Sequence, residues 1–262
     1  MTRPASPSRK SERQARILAE LRATPSLRVN DLSARLAVST ETVRRDLAQL
    51  DNARLINRTY GGALRSVQLE PGIAEREPLM VEERRRIARA ALRLVAPNDT
   101  LMIGGGATTL HFARALAVET EHLTIITHGF SIAAALAANR SHRVIMLPGL
   151  YDGREGLIHG PETLDALLRF NANKAFLGAS GVTGEGPNDA APGPGTLYGA
   201  MMRRAARAII LADHRKFGAT SLLVYGCWSP SVSLVTDQPP PGALAAALAV
   251  SGAEVIVAGP GA

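Results

Sequence analysis

The stretch VSTETVRRDLAQL, residues 38–50, places its apolar side chains on one side of a helix. Val43, Leu47 and Leu50 follow one another at i, i+4 and i+7, which is the spacing of an amphipathic helix. Ser39 or Thr40 precedes this run and is suited to cap its first turn. The pattern predicts a helix that begins near Thr40 and has one buried face and one polar face.

The polar face of this helix has side chains that suit DNA. With Val43 turned inward on a helical wheel, Glu41 and Arg45 fall opposite it, flanked by Thr42 and Arg44. A helix of this width fits the major groove of B-form DNA, where arginine reaches guanine O6 and N7. The alternative is a solvated face on which Glu41 pairs with Arg45. The helix alone does not choose between them.

Two apolar repeats precede this helix and a hairpin pattern follows it. Residues 11–24 and 29–38 both have helical spacing, so they predict two further short helices. Residues 53–64, ARLINRTYGGAL, predict a strand with Arg58 on it, a turn at Gly61 and Gly62, and a returning strand. Three helices followed by a hairpin form the pattern of a small DNA-binding domain with a β wing.

The formal charge is concentrated in this part of the chain. Of the 262 residues, the first 65 contain 13 Lys and Arg against 6 Asp and Glu, whereas the remaining 197 contain 17 of each sign. The whole net charge of +7 therefore lies in the first quarter. A basic module joined to a neutral body is typical of proteins that bind polyanions. A general bias toward arginine is the alternative interpretation.

The composition excludes several classes of protein. No run of 18 uninterrupted apolar residues is present, so we expect no membrane span. Cys227 is the single cysteine and the first ten residues lack an apolar stretch, which predicts a cytoplasmic chain without an internal disulfide. Aromatic residues make up only 4%, so a stacking surface for single-stranded nucleic acid is not expected.

The pattern changes after the hairpin. Residues 66–80 lack apolar periodicity and predict a linker between a domain at 9–65 and a domain at 81–262. Seven short β-rich runs then alternate with helical segments: LMIGG, LTIIT, RVIML, AFLGA, AIILAD, SLVTD and EVIVA. This alternation predicts an α/β fold with a mostly parallel sheet covered by helices on both faces.

A glycine-rich turn is the candidate ligand site of the second domain. In LMIGGGATTLHFARAL, residues 101–116, a strand leads into Gly104, Gly105 and Gly106, and a helix is expected to start at Ala107 or Thr108. Backbone amides at a helix N-terminus and nearby hydroxyl groups suit a phosphate. Such turns also occur for packing reasons alone. Residues 180–195 contain eight Gly or Pro and predict a long loop.

The motifs resemble those of a known family. VSTETVRRDL and RTYGGA are similar to the signature of the DeoR-type bacterial transcription regulators, and KAFLGASG (174–181), ILADHRKFG (210–218) and TDQPPP (236–241) resemble further landmarks. The resemblance implies a winged helix-turn-helix at 27–46 and a sensor domain with a fold like that of ribose-5-phosphate isomerase. It also implies a homodimer or homotetramer that binds a double-stranded DNA operator and a small phosphorylated metabolite, with no cofactor and no metal.

The resemblance also implies which residues bind. DNA contacts fall on Ser39, Thr40, Glu41, Thr42, Arg44, Arg45, Arg58, Gly61 and Gly62. Effector contacts fall on Gly105, Gly106, Thr108, Thr109, Gly149, Lys174, Asp213 and Lys216. The chain departs from the family pattern at Gly104, His128, Asp152, Thr196 and Tyr198, where an acid, an Asn, an Arg, a Glu and a Lys are usual.

Three classes of function remain open at this stage. The first is a DNA-binding repressor relieved by a phosphorylated metabolite, with glycerol 3-phosphate as a candidate effector. The second is a DNA-binding protein whose body only oligomerises. The third is a sugar-phosphate isomerase, which needs a general base where Gly104 stands. His111, His128 and His214 show neither metal-ligand spacing nor an evident partner in the sequence.

Overall fold

The computed structural model describes residues 9–23, 26–52, 56–59, 62–65 and 71–259. The chain divides into two compact units, Met1–Leu69 and Glu70–Ala262. Among the residues described, no helix is both long enough and apolar enough to cross a membrane.

The first unit contains three helices and a small antiparallel sheet. Its elements are α1 (Arg9–Ala23), β1 (Ser26–Arg28), α2 (Val29–Leu36), α3 (Thr40–Asn52), β2 (Ile56–Thr59) and β3 (Gly62–Arg65). The strands lie in the order β1-β3-β2. The three helices and the hairpin confirm the sequence prediction. Strand β1 was not predicted, because three residues are too few to show an alternating pattern.

The apolar positions of the sequence pattern form the core of this unit. Ile17, Leu32, Val43 and Leu47 come from all three helices, and each is at most 1% exposed. Asp46 of α3 is buried beside them and accepts a hydrogen bond from the Arg13 guanidinium of α1, with 3.1 Å between Nη2 and Oδ1. This ion pair fixes α1 against α3.

The second unit is an α/β domain. Its elements are α4 (Ile73–Arg76), α5 (Val81–Leu92), β4 (Thr100–Ile103), α6 (Ala107–Glu119), β5 (Thr124–Thr127), α7 (Phe130–Ala137), β6 (Arg143–Met146), β7 (Leu150–Asp152), β8 (Leu157–His159), α8 (Pro161–Leu167), β9 (Ala172–Gly178), β10 (Gly181–Val182), β11 (Pro187–Asp189), α9 (Pro192–Arg204), β12 (Ala205–Leu211), β13 (Leu223–Val224), β14 (Val232–Thr236), α10 (Gly242–Ser251) and β15 (Glu254–Val257).

Seven of these strands form one sheet in the order β15-β14-β12-β9-β4-β5-β6. Every neighbouring pair is parallel, and the seven strands coincide with the seven β-rich runs of the sequence. Alternate residues of each strand point to opposite faces, so Met102 packs toward α8, α9 and α10 while Leu101 and Ile103 pack toward α5, α6 and α7. The predicted α/β fold with helices on both faces is confirmed.

Two predicted irregular segments differ from the structure. Residues 180–195, predicted as a long loop, form the β10–β11 hairpin and the first turn of α9. Asn188 orders this segment, because its buried side chain donates to the Ala219 carbonyl at 3.1 Å and accepts from the Ser221 amide at 2.9 Å. These partners lie more than thirty residues away, so a local pattern cannot reveal them.

The segment 66–80, predicted as a linker, contains a helix among its described residues 71–80. Its second half contains α4, whose Ile73 amide donates to the Arg154 carbonyl at 3.1 Å. Arg76 forms an ion pair with Glu155, and Glu77 pairs with Arg114 at 2.6 Å. Residues 71–80 therefore belong to the second unit.

Candidate DNA-binding helix and effector site

The turn between α2 and α3 orients the candidate recognition helix. Ala37 closes α2 in the left-handed region, with φ +54°. Ser39 then caps α3, because its Oγ accepts the Thr42 amide at 3.2 Å. The cap satisfies one of the first-turn amides that have no acceptor within the helix. Together, α2, the turn and α3 form a helix-turn-helix.

The polar face of α3 is exposed and its charges pair with one another. The side chains of Glu41 and Arg45 are 61% and 77% exposed, and their charged groups lie 3.5 Å apart. Arg44 approaches the same carboxylate at 3.9 Å. Exposed pairs of this kind contribute only about a few tenths of a kcal/mol. The unbound helix therefore has the Glu41–Arg45 pair that the solvated-face alternative describes.

The wing is present as the β2–β3 hairpin. Arg58 of β2 pairs in register with Ala63 of β3, and Thr59 pairs with Gly62. The predicted contact Gly61 and the side chain of Arg58 lie outside the described residues.

The glycine-rich turn has the predicted strand–glycine–helix geometry. Strand β4 ends at Ile103 and α6 begins at Ala107. Gly106 has φ +136°, which an L side chain rarely adopts, so this position requires glycine. Thr109 is buried and its hydroxyl donates to the Gly106 carbonyl at 3.0 Å, whereas Thr108 is half-buried.

Both polar groups of the Gly105 backbone are hydrogen-bonded within the fold. The Gly105 amide donates to His128 Nε2 at 3.1 Å, and the Tyr198 hydroxyl donates to the Gly105 carbonyl at 2.8 Å. His128 Nδ1 lies 2.7 Å from the Ile158 carbonyl. Because a carbonyl only accepts, Nδ1 must be the protonated nitrogen and Nε2 the acceptor.

The charge state of His128 agrees with this assignment. The imidazole is fully buried, and burial lowers its pKa to about 4 despite the opposing effect of the Ile158 hydrogen bond. The ring is therefore neutral at neutral pH. His128 thus holds the glycine turn as a hydrogen-bond acceptor and brings no positive charge to it.

Three of the five departures from the family pattern form one cluster with this turn. A Cβ at Gly104 would lie 2.7 Å from Cε1 of Tyr198, so the tyrosine ring occupies the space of a side chain at position 104. The ring of Tyr198 also meets His128 edge-on, with 5.6 Å between centroids. The ring of Tyr198 therefore fits against both Gly104 and His128, and it needs a residue without a side chain at position 104.

The two other departures make local hydrogen bonds. Asp152 Oδ1 accepts the Arg154 amide at 2.8 Å in the turn between β7 and β8. The Thr196 hydroxyl donates to the Pro192 carbonyl at 2.8 Å on the exposed side of α9.

The structure does not bring Lys174 to the glycine turn. It pairs with Leu101 near the amino end of the sheet, and its Nζ lies 2.6 Å from Asp99. The glycine turn follows the carboxyl end of the neighbouring strand. Lys174 therefore forms an ion pair at the amino ends of the strands, opposite the ends that lead into the glycine turn.

Asp213 and Lys216 follow β12, which lies two strands from β4, or about 10 Å away. Asp213 is fully buried; its Oδ1 accepts the Arg215 amide at 3.2 Å, and its Oδ2 lies 3.9 Å from Arg84. Gly149 follows β6, also two strands from β4, and a Cβ there would lie 2.1 Å from Thr163 Oγ1. All three predicted effector residues follow strands two positions away from β4, and Asp213 and Gly149 are engaged in turn and packing contacts there.

Two histidines have partners that the sequence did not reveal. His214 Nδ1 lies 2.6 Å from Oδ2 of buried Asp237, and His128 holds the glycine turn. His111 is half-buried, and burial with neighbouring arginines lowers its pKa. Among the residues described, no cluster of three or more His, Cys, Asp or Glu is arranged to hold a metal ion.

A cavity of about 460 Å³ lies away from the glycine turn. It lies between the second half of α9 and the segment from β13 to β14, with Arg203, Cys227 and Ser229 in its lining. None of the predicted effector residues lines it.

Geometry defines a class of protein: a winged helix-turn-helix joined to a parallel α/β domain. Comparison with known families gives the particular assignment. Residues 13–68 match the DeoR-like helix-turn-helix domain and residues 79–238 match the DeoR C terminal sensor domain. The chain belongs to the DeoR family of DNA-binding transcription regulators.

Several curated relatives are named as repressors. The chain is 31% identical to the HTH-type transcriptional repressor CsqR of Escherichia coli K12 over 88% of this chain and 89% of the relative. It is 31% identical to the Glycerol-3-phosphate regulon repressor of the same organism, over 80% and 84%. It is 28% identical to the repressor GlcR of Bacillus subtilis, over 94% and 95%. These matches place the chain among regulators and set aside the isomerase alternative.

Among solved structures, one match is ribose-5-phosphate isomerase A from Methanocaldococcus jannaschii. The identity is 19%, the TM-score is 0.37, and the match covers 51% of this chain and 53% of that chain.

Proposed function

We propose that this regulator is a repressor that a small phosphorylated metabolite releases from its operator. It reads the operator through Ser39, Thr40, Glu41, Thr42, Arg44 and Arg45 of the helix-turn-helix and through Arg58, Gly61 and Gly62 of the wing. The observation that supports an effector site is the strand–glycine–helix turn at the carboxyl ends of the strands of the sensor sheet. Ligands of open α/β sheets bind at those ends.

The effector phosphate is expected on the helix side of the turn. Because the Gly105 amide already donates to His128, the amides of Gly106, Ala107 and Thr108 are the ones left to meet an anion. The groups packed against the turn, His128 and Tyr198, are neutral, so no cation of theirs assists the phosphate. We therefore expect an effector of a different shape from those of relatives that keep the usual charged residues.

A thermal-shift screen tests the effector proposal. Sugar phosphates, polyol phosphates including glycerol 3-phosphate, and their unphosphorylated forms are added to the full chain. A ligand at about 100 times its Kd adds about 2.7 kcal/mol to the free energy of unfolding. Only phosphorylated compounds are expected to raise Tm, and the same compounds are expected to weaken operator binding.

The matched variants are Thr108→Ala and Thr196→Ala. The first removes a hydroxyl beside the proposed phosphate and should reduce the shift, whereas the second removes an exposed hydroxyl on α9 and should leave it unchanged. A shift produced by unphosphorylated compounds alone, and retained in Thr108→Ala, would contradict the phosphate site.

A second candidate function is a body that only oligomerises. It is favoured by the hydrogen bonds of Gly105. His128 accepts from its amide and Tyr198 donates to its carbonyl, so neither group is left to bind a ligand. A screen in which no compound changes Tm would favour this function over effector sensing.

We also propose a homodimer or homotetramer acting in the cytoplasm, where bacterial DNA is read. Support for self-association comes from a patch of three exposed apolar side chains in β7 and at the start of α7. These are Phe130, Leu150 and Tyr151, which are 58%, 67% and 54% exposed. The rings of Phe130 and Tyr151 contact each other at 6.1 Å between centroids. Exposed apolar patches typically mark interaction surfaces.

A further inference from the structure

Helix α5 of the sensor unit has arginines along one side. Arg85, Arg89 and Arg93 are exposed and Arg86 is half-buried. On a helical wheel these four residues fall within an arc of about 100°, and they extend for about 12 Å along the axis. We call this set the α5 arginine stripe.

The face of α5 that forms the stripe has more arginines than acidic residues. Glu82 is the one acid within the same arc of α5, and it pairs with Arg85 at 2.7 Å. The opposite face of α5 packs into the core through Ile87 and Ala91, both fully buried. The sensor unit has 17 Lys and Arg and 17 Asp and Glu, and four of its arginines lie on this one face of α5.

We propose that the α5 arginine stripe binds phosphates of the DNA duplex to which this regulator binds. Guanidinium groups match phosphate oxygens in charge and in paired hydrogen-bond geometry. The stripe is about as long as the rise of three to four base pairs. Contacts of this kind add affinity at any sequence and do not select bases.

Chain connectivity makes such contacts effective. Residues 71–80 are part of the second unit, so Pro71, its first described residue, follows Arg65 of the wing by six residues, which can span at most about 22 Å. Because both units belong to one chain, a stripe contact with an already bound duplex is intramolecular, so weak phosphate contacts can contribute to affinity. The proposal goes beyond effector relief and rests on the DNA binding of this family.

The test measures the salt dependence of binding by the full chain. The stripe variant combines Arg85→Gln, Arg89→Gln and Arg93→Gln. Two probes are used: a duplex that the full chain selects from a random pool, and a scrambled duplex of the same length. For every phosphate that the variant no longer neutralises, the slope of log K against log salt should become shallower by about 0.9, measured between about 50 and 200 mM.

The matched control combines Arg140→Gln, Arg143→Gln and Arg169→Gln, which removes the same charge from exposed arginines outside α5. The proposal expects a shallower slope on both duplexes for the stripe variant, an unchanged ratio between the duplexes, and the wild-type slope for the control. Thermal melting checks that both variants fold.

Other outcomes overturn the proposal in distinguishable ways. Equal slopes for the stripe and control variants mean that net charge alone matters and that the stripe has no specific role. An unchanged slope on DNA, together with a failure to sediment with phosphatidylserine vesicles that the wild type binds, assigns the stripe to a lipid surface. Failure of the wild-type chain to select any duplex removes the DNA-binding function itself.

Discussion

The imidazole of His128 is hydrogen-bonded at both ring nitrogens inside the sensor unit. Its Nε2 accepts the Gly105 amide and its Nδ1 donates to the Ile158 carbonyl. Protonating Nε2 would remove the acceptor and leave a charge fully buried. The residue therefore links the geometry of the glycine turn to the neutral state of one side chain.

This link predicts a loss of stability in acid. The folded pKa of His128 is about 4 and the unfolded value is 6.5, so the unfolded chain binds the proton first as the pH falls. The contribution of His128 to the free energy of unfolding is complete above about pH 6.5 and should fall by about 3 kcal/mol as the pH approaches 4.

Urea unfolding of the wild type and His128→Gln between pH 7.5 and pH 4 measures this contribution. The variant cannot titrate at this position, so the difference between the two proteins should change with pH in the stated window. His111, whose pKa is also lowered, is present in both and cancels. Parallel curves for the two proteins would contradict the buried, neutral histidine.

Two arginines of the first unit are predicted to act differently on DNA. Arg45→Ala should cost about 1–3 kcal/mol on the selected duplex and little on a scrambled one, because only a base contact discriminates. Arg58→Ala should weaken both duplexes equally, because phosphates are the same at every sequence. Arg35→Ala is the control, since Arg35 of α2 pairs with Glu20. Wild-type affinity of both test variants on both duplexes would refute these roles.

At the scale of elements, the glycine turn is shaped by the helix that packs over it. Tyr198 of α9 lies where a side chain at position 104 would project, and a Cβ there would also be 3.1 Å from Leu177. Helix α9 thus closes the turn from one side and β8 approaches it from the other, with Leu157 Cδ2 3.0 Å from a Cβ built at Gly105.

Gly104→Ala is therefore expected to lower the free energy of unfolding by about 1–3 kcal/mol, since overpacking displaces neighbouring side chains. Gly178→Ala is the matched control at the end of the adjacent strand, where the nearest atom to a Cβ is 3.7 Å away. Denaturant unfolding of both variants checks the difference. Adding Tyr198→Ala to Gly104→Ala should give a loss smaller than the sum of the two single losses, because one removes the obstacle that the other meets.

At the scale of the whole molecule, the exposed apolar patch bears on assembly. A single α3 contacts only a few base pairs, and helix-turn-helix proteins read paired half-sites through twofold symmetry. Light scattering of the full chain at micromolar concentration should give the mass of a dimer or a tetramer. Leu150→Asp combined with Tyr151→Asp should lower that mass if the patch forms the interface.

Val118→Asp and Val250→Asp provide the control, because both valines are exposed, at 84% and 90%, and lie outside the patch. A monomeric wild-type chain would contradict the oligomer. An unchanged mass in the patch variant would move the interface elsewhere on the chain.

Much of the fold could be predicted because its signals are local. The spacing of Val43, Leu47 and Leu50 fixes α3 as an amphipathic helix, and the seven apolar runs fix the sheet strands. The order of Asn188 could not be predicted, since a segment rich in Gly and Pro shows no periodicity and is held by side-chain bonds to distant backbone.

The sequence by itself determined where helices, strands and the glycine turn lie, because apolar periodicity and backbone freedom act over a few residues. Only the tertiary structure decided which polar groups meet. His128 is 23 residues from Gly105 and Tyr198 is 93 residues from it, yet both bond to the same residue's backbone. Lys174, by contrast, lies on the strand next to β4, but it forms an ion pair with Asp99 at the opposite end of the strands. Strand order and helix packing set these distances, and neither can be read from residue spacing along the chain.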